Sequence, residues 1–165
     1  MRIVLSWPAD STSTDLDSHL TGPDNLSGQG HSGASTKRFH VKYPSSGQGA
    51  FYYAANNYSC TCDKSDNVTV DQDDQNAPGT ETITISNVRS GTYRYSVHEY
   101  HGNSSGTTLA KSCASVTVYY NDLSKNPTTY NVSNASGNLW SVFTFDTSVG
   151  LTETNNLQPW EIDSL

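Results

Sequence analysis

At 165 residues, of which 33% are hydrophobic and 15% charged, the chain has the size of one domain with a thin core, since two domains of half this length would each be marginal. Ten Tyr, four Phe and three Trp supply bulky apolar surface that a disordered chain lacks. A formal charge of −7 and a pI near 4.9 exclude the basic footprint that nucleic-acid binding demands, and no run approaches the roughly 20 apolar residues of a membrane span.

Arg2–Trp7 alternates with Ile3, Leu5 and Trp7 on one face and reads as a strand, and a second strand begins near Asp15. Thr21-Gly22-Pro23-Asp24-Asn25 is turn chemistry, and the Gly/Ser/Asn-rich stretch through Thr36 reads as a long surface loop. Phe39, Val41 and Tyr43 alternate as a strand, residues 51–54 form another candidate, and residues 67–70 a short one that ends in acid. Residues 81–85 and 92–98 both alternate around Asn87, Ser90 and Gly91, which predicts a hairpin. After a loop at 102–108, residues 112–120, 128–132 and 139–145 complete the set. In the last of these, strict alternation puts Trp140, Val142 and Thr144 on one face and Phe143 and Phe145 on the other. About eight or nine short strands without helical periodicity predict an all-β, antiparallel β-sandwich or jelly roll over residues 1–150, with 151–165 a C-terminal tail, linker or edge strand.

Abundant Ser, Thr, Asn, Gly and Tyr with few charges suit an extracellular, secreted or cell-surface domain. The N-terminus lacks the basic region and apolar run of a signal peptide, so the expectation is an excised, monomeric module whose export signal is encoded elsewhere. Of Cys60, Cys62 and Cys113, at least one is unpaired within a monomer. A disulfide from Cys113 to Cys60 or to Cys62 is the open alternative, because alternate strand residues face opposite ways. Their spacing does not suit zinc.

Asp15, Asp17 and His19 sit at i, i+2 and i+4, so one strand face carries all three. Two such carboxylates repel unless a cation or donors compensate. Asp71, Asp73 and Asp74 follow a strand end, where ligands collect. If the clusters meet, Asp15, Asp17, Asp71, Asp73 and Asp74 suit a calcium site, since calcium takes six to eight oxygens; a solvated acidic rim is the alternative. There is no EF-hand loop. His19, a poor calcium ligand, reads as a hydrogen-bonding neighbour of an Asp or a carbonyl, and His98 as an outward-facing residue that either lies on the surface or pairs with an Asp or lines a site.

No G-x-S-x-G elbow or H-E-x-x-H is present, and the chain reads as a non-enzyme. Tyr52, Tyr53, Tyr58, Tyr100 and Trp160 are adjacent or loop-placed aromatics that suit a neutral polysaccharide or oligosaccharide. A calcium-dependent adhesin or peptide-binding domain and a structural spacer are the competing readings.

Leu5-Ser6-Trp7, Asp15-Leu16-Asp17-Ser18-His19-Leu20 with Gly22-Pro23, Phe39-His40-Val41, Val70-Asp71-Gln72-Asp73-Asp74, the stretch from Gly79 to Ile85, the stretch from Gly91 to His98 and Trp140-Ser141-Val142-Phe143 follow one another in an order that resembles the YfaP-like (DUF2135-type) β-sandwich modules, over roughly residues 2–145. That resemblance implies a non-catalytic binding or adhesive module of large bacterial secreted and cell-surface proteins. The chain departs from the pattern at Pro8 after Trp7, at Ala77-Pro78-Gly79-Thr80-Glu81, and at residues 59–67, which look inserted.

Overall fold

The computed structural model describes residues 1–11, 15–23, 38–42, 68–101, 108–122 and 124–159. Among them are ten strands: β1 (Arg2–Trp7), β2 (Leu16–Pro23), β3 (Arg38–Val41), β4 (Val68–Gln72), β5 (Gly79–Ile85), β6 (Thr92–Glu99), β7 (Ser115–Tyr119), β8 (Thr128–Asn131), β9 (Leu139–Asp146) and β10 (Gly150–Gln158). They form two five-stranded sheets in the orders β4-β5-β1-β7-β8 and β10-β9-β6-β2-β3, with every neighbouring pair antiparallel. The predicted all-β sandwich is what the chain forms. A single 3-10 turn at Leu109–Lys111 is the helical element among the described residues, and none of their helices is long and apolar enough to cross a membrane.

Period-2 alternation explains the inner faces. Ile3, Leu5 and Trp7 of β1, Ile83 and Ile85 of β5, and Val116 and Val118 of β7 are buried in one layer; Leu16 and Leu20 of β2 and Tyr93, Tyr95 and Val97 of β6 are buried in the other. Each such side chain contributes about 1.5–3 kcal/mol relative to an exposed one.

The structure corrects the predicted hairpin. β5 lies between β4 and β1, and β6 lies between β9 and β2 in the other sheet, so residues 86–91 cross between layers. Gly91 makes the bend at φ +125°, and the Arg89 N–H donates to Tyr93 Oη at 2.7 Å. Alternation reports one buried face per strand, which a hairpin and a crossing between sheets satisfy equally.

The predicted faces of β9 also change. The ladder shifts where Tyr95 pairs with Phe143 and Ser96 with Ser141, leaving Val142 as the extra residue of a bulge. Trp140 and Phe143 therefore both join the core. Phe143 stacks between Tyr95 and Tyr130, each with ring centroids 5.4 Å away. The strand Gly150–Gln158, β10, lies at the edge of its sheet and is itself shifted in register between Glu153 and Asn156.

The Tyr95 hydroxyl lies 2.6 Å from Ser18 Oγ inside the sandwich, and burial pushes its pKa up. Tyr95→Phe is expected to cost about 1–2 kcal/mol, because it strips the buried Ser18 hydroxyl of that partner; the midpoint of urea unfolding checks it, with an unchanged slope.

Candidate metal centre

β2 places Asp15, Asp17 and His19 on the face opposite Leu16, Ser18 and Leu20. All three are buried, at 6%, 6% and 2% exposure. β6 runs alongside with His98 opposite Asp17, and His98 Nδ1 lies 3.8 Å from Asp17 Oδ2. His98 is thus partly buried beside a carboxylate, which favours the Asp-paired alternative over the surface one. Just past β6, His101 Nε2 lies 3.7 Å from Asp15 Oδ2, and the Tyr100 N–H donates to the Asp15 carbonyl at 3.2 Å. On the other flank, His40 of β3 brings Nε2 to 2.9 Å from His19 Nδ1.

β3 pairs with β2 only from Leu20 onward, and the edge of β2 at Ser18 faces the opposite sheet. Glu81 closes that gap. It shares the inward phase of Ile83 and Ile85 on β5, is 1% exposed, and its Oε2 accepts the Ser18 N–H at 2.6 Å. Behind it, Gly79 lets the Trp7 indole lie flat against the start of β5, and the turn from β4 to β5 supplies Asp73.

Asp17, Asp73 and Glu81 each bring a carboxylate oxygen within 4.8 Å of the others. Oxygens that lie within this limit of one another are close enough to share one cation. Asp73 Oδ1 and Glu81 Oε1 are buried and meet no donor from a third group; the two carboxyls hydrogen-bond each other, which requires a proton on one of them. Once that proton leaves, two facing buried carboxylates repel each other, and a hard cation is the partner their oxygens suit. Asp15, one step along β2, lies within electrostatic reach of Asp17 and Asp73.

Of the five aspartates expected at the site, the structure gathers Asp15, Asp17 and Asp73. Asp71 points away, its oxygens taken by Thr69 Oγ1 at 2.6 Å and Thr84 Oγ1 at 2.5 Å. Asp74 Oδ2 accepts the Thr80 N–H at 2.8 Å and Gln72 Nε2 at 3.0 Å. Glu81, which sequence reasoning missed, replaces them; a carboxylate at the inward phase of an apolar strand was the available signal. Tyr100 is 59% exposed, its ring edge-on to His101 at 4.8 Å. Tyr52, Tyr53, Tyr58, Trp160, Cys60 and Cys62 lie outside the described residues, as do the candidate strand at 51–54 and the loop through Thr36. Cys113 is an exposed free thiol.

Every resolved shift in this corner disfavours charge. Burial raises Asp15, helped by Asp17. Burial also raises Asp73, against the hydrogen bond from Glu81 that favours its charge, with Asp17 and Asp74 adding repulsion. Glu81 is held well above the carboxylate range by burial, by the facing Asp73 carboxyl and by Asp17. Burial, with His40, His98 and Lys42 nearby, keeps His19 neutral, and burial brings His40 down to about 3, helped by Lys42. The Lys42 ammonium is itself depressed by burial, against the pull of Asp17. A divalent cation reverses this balance for the carboxylates.

No family model, no curated protein and no solved structure matches the chain.

Proposed function

We propose that the chain is a non-catalytic extracellular binding module of a larger secreted or cell-surface protein, that it binds polysaccharide or oligosaccharide, and that calcium held by Asp17, Asp73 and Glu81, with Asp15 alongside, fixes its ligand-bearing loops. The observation that carries the cation is the buried Asp73–Glu81 carboxyl pair beside Asp17, whose oxygens Oδ1 and Oε1 have no donor besides the proton the pair shares. Oxygen-only donors at this spread suit calcium better than a softer ion. The sugar reading rests on Tyr100, a ring 59% exposed whose backbone is tied to Asp15. A flat aromatic beside a hydrogen-bonding corner suits a ligand that is apolar on one face and hydroxylated at its edges. The resemblance to YfaP-like modules agrees with a secreted setting.

Affinity electrophoresis in gels containing soluble polysaccharides, with calcium or with chelator, tests both halves. Retention by at least one polysaccharide is expected, weakened by chelator and weakened about tenfold in dissociation constant, equivalent to 1.4 kcal/mol, by Tyr100→Ala. Retention indifferent to that variant removes Tyr100 from the ligand surface. Calcium-dependent binding to peptides alone overturns the sugar reading.

A further inference from the structure

We propose that Asp17, His19 and His98 form a second metal site, one that takes a transition-metal ion of the zinc class. It goes beyond the calcium reading and shares with it only the Asp17 carboxylate.

Asp17, His19 and His98 each offer a donor atom within 4.8 Å of the other two. Tetrahedral zinc with bonds of about 2.0–2.1 Å draws its ligands to roughly 3.3 Å apart, so the trio must close by about 1.5 Å at most. His98 is the side chain with freedom to do so: it is 16% exposed, whereas His19 is enclosed. Both histidines and Asp17 stand on the neighbouring strands β2 and β6, with His98 directly across from Asp17 and Ser96 across from His19. Ligands on paired strands are held more rigidly than ligands on loops. The His19 and His98 rings already meet edge to face at 6.0 Å.

Donor type separates this trio from the carboxylate corner. Two imidazoles with one carboxylate suit zinc, cobalt, nickel or copper, and do not suit calcium. His40 provides the outer support that such sites need. Its Nε2 lies 2.9 Å from His19 Nδ1; with a metal on His19 Nε2, the Nδ1 carries the proton and donates it to His40, which holds the ring in place. Three protein ligands leave further coordination positions for water or a ligand group.

Tag-free protein, stripped with chelator, is titrated with cobalt as a spectroscopic substitute for zinc. The expected result is one equivalent bound, with the d–d absorption of a four- or five-coordinate ion, no thiolate charge-transfer band from cysteine, and displacement by zinc. His98→Gln is expected to weaken cobalt at least tenfold while calcium stabilisation persists; Glu81→Gln is expected to lose calcium stabilisation while cobalt still binds. In the unmodified protein, zinc should shift the imidazole resonances of two of the five histidines, a readout that needs no variant. A thiolate band, unmoved imidazole resonances, or cobalt binding insensitive to His98→Gln overturns the site. Loss of both metals in Glu81→Gln shows one shared site and also overturns it, whereas a missing calcium response with cobalt binding intact removes only the calcium reading.

Discussion

In chelator at pH 7, Glu81→Gln is expected to leave stability unchanged or to raise it by about 1 kcal/mol, and in calcium the order of the two proteins is expected to reverse. The glutamine oxygen can keep the Ser18 N–H that Glu81 Oε2 accepts, while its amide takes over the hydrogen bond that the protonated Glu81 carboxyl makes to Asp73, an exchange worth at most about 1 kcal/mol. With calcium at about 100 times its dissociation constant, the native chain gains about 2.7 kcal/mol, or about 5–11 °C in midpoint for a domain of this size; the variant gains almost nothing. The pH dependence has a matching sign. Because the folded Glu81 carboxyl holds its proton to a higher pH than the unfolded one, the folded state binds more protons in that window. Metal-free stability should therefore fall as pH rises from the ordinary glutamate range through the folded value, and the calcium increment should grow over the same window. Thermal melts across pH, with and without calcium, measure both. Equal calcium shifts in the native chain and in Glu81→Gln would sink the assignment.

Gly79→Ala is expected to be among the most damaging single-methyl additions in the chain. A Cβ there falls 1.9 Å from Trp7 Cζ2 and 2.2 Å from Cε2, and the indole is 2% exposed within the core, so it has nowhere to swing. Overpacking of this kind costs about 1–3 kcal/mol or more. Gly79 also pairs with Trp7 across the ladder and begins the strand that carries Glu81 two residues later. The variant should thus lose calcium affinity along with stability, both readable from urea unfolding at several calcium concentrations. A variant as stable as the native chain would mean that Trp7 does not lie against Gly79.

The inner faces of β1, β5, β6 and β7 were legible because each obeys one period with one buried face. The alignment of Asp15, Asp17 and His19 was legible for the same reason. What escaped is non-local. Glu81 meets Asp17 only because β5 and β2 belong to opposite layers, a fact that lies in the crossing at 86–91 and that no local pattern distinguishes from a hairpin. The bulge at Val142, which returns Phe143 to the inner face, adds one residue to a ladder without any mark in the alternation. Asp71 was misplaced because β4 runs on to Gln72: with Val68 and Val70 facing in, Asp71 falls in phase with Thr69 on the outer face, beside Thr84.

The bond between Ser18 and Glu81 joins points 63 residues apart in the chain, and nearly all of that interval lies between β2 and β5. Lengthening a closed segment is inexpensive, about 0.6 kcal/mol for each doubling. A clasp at its two roots, tightened by a cation, lets the stretch carrying Tyr52, Tyr53 and Tyr58 change in length and composition while both layers keep their register. Sequence variety among such domains is therefore expected to concentrate inside the clasp, with the clasp itself held constant.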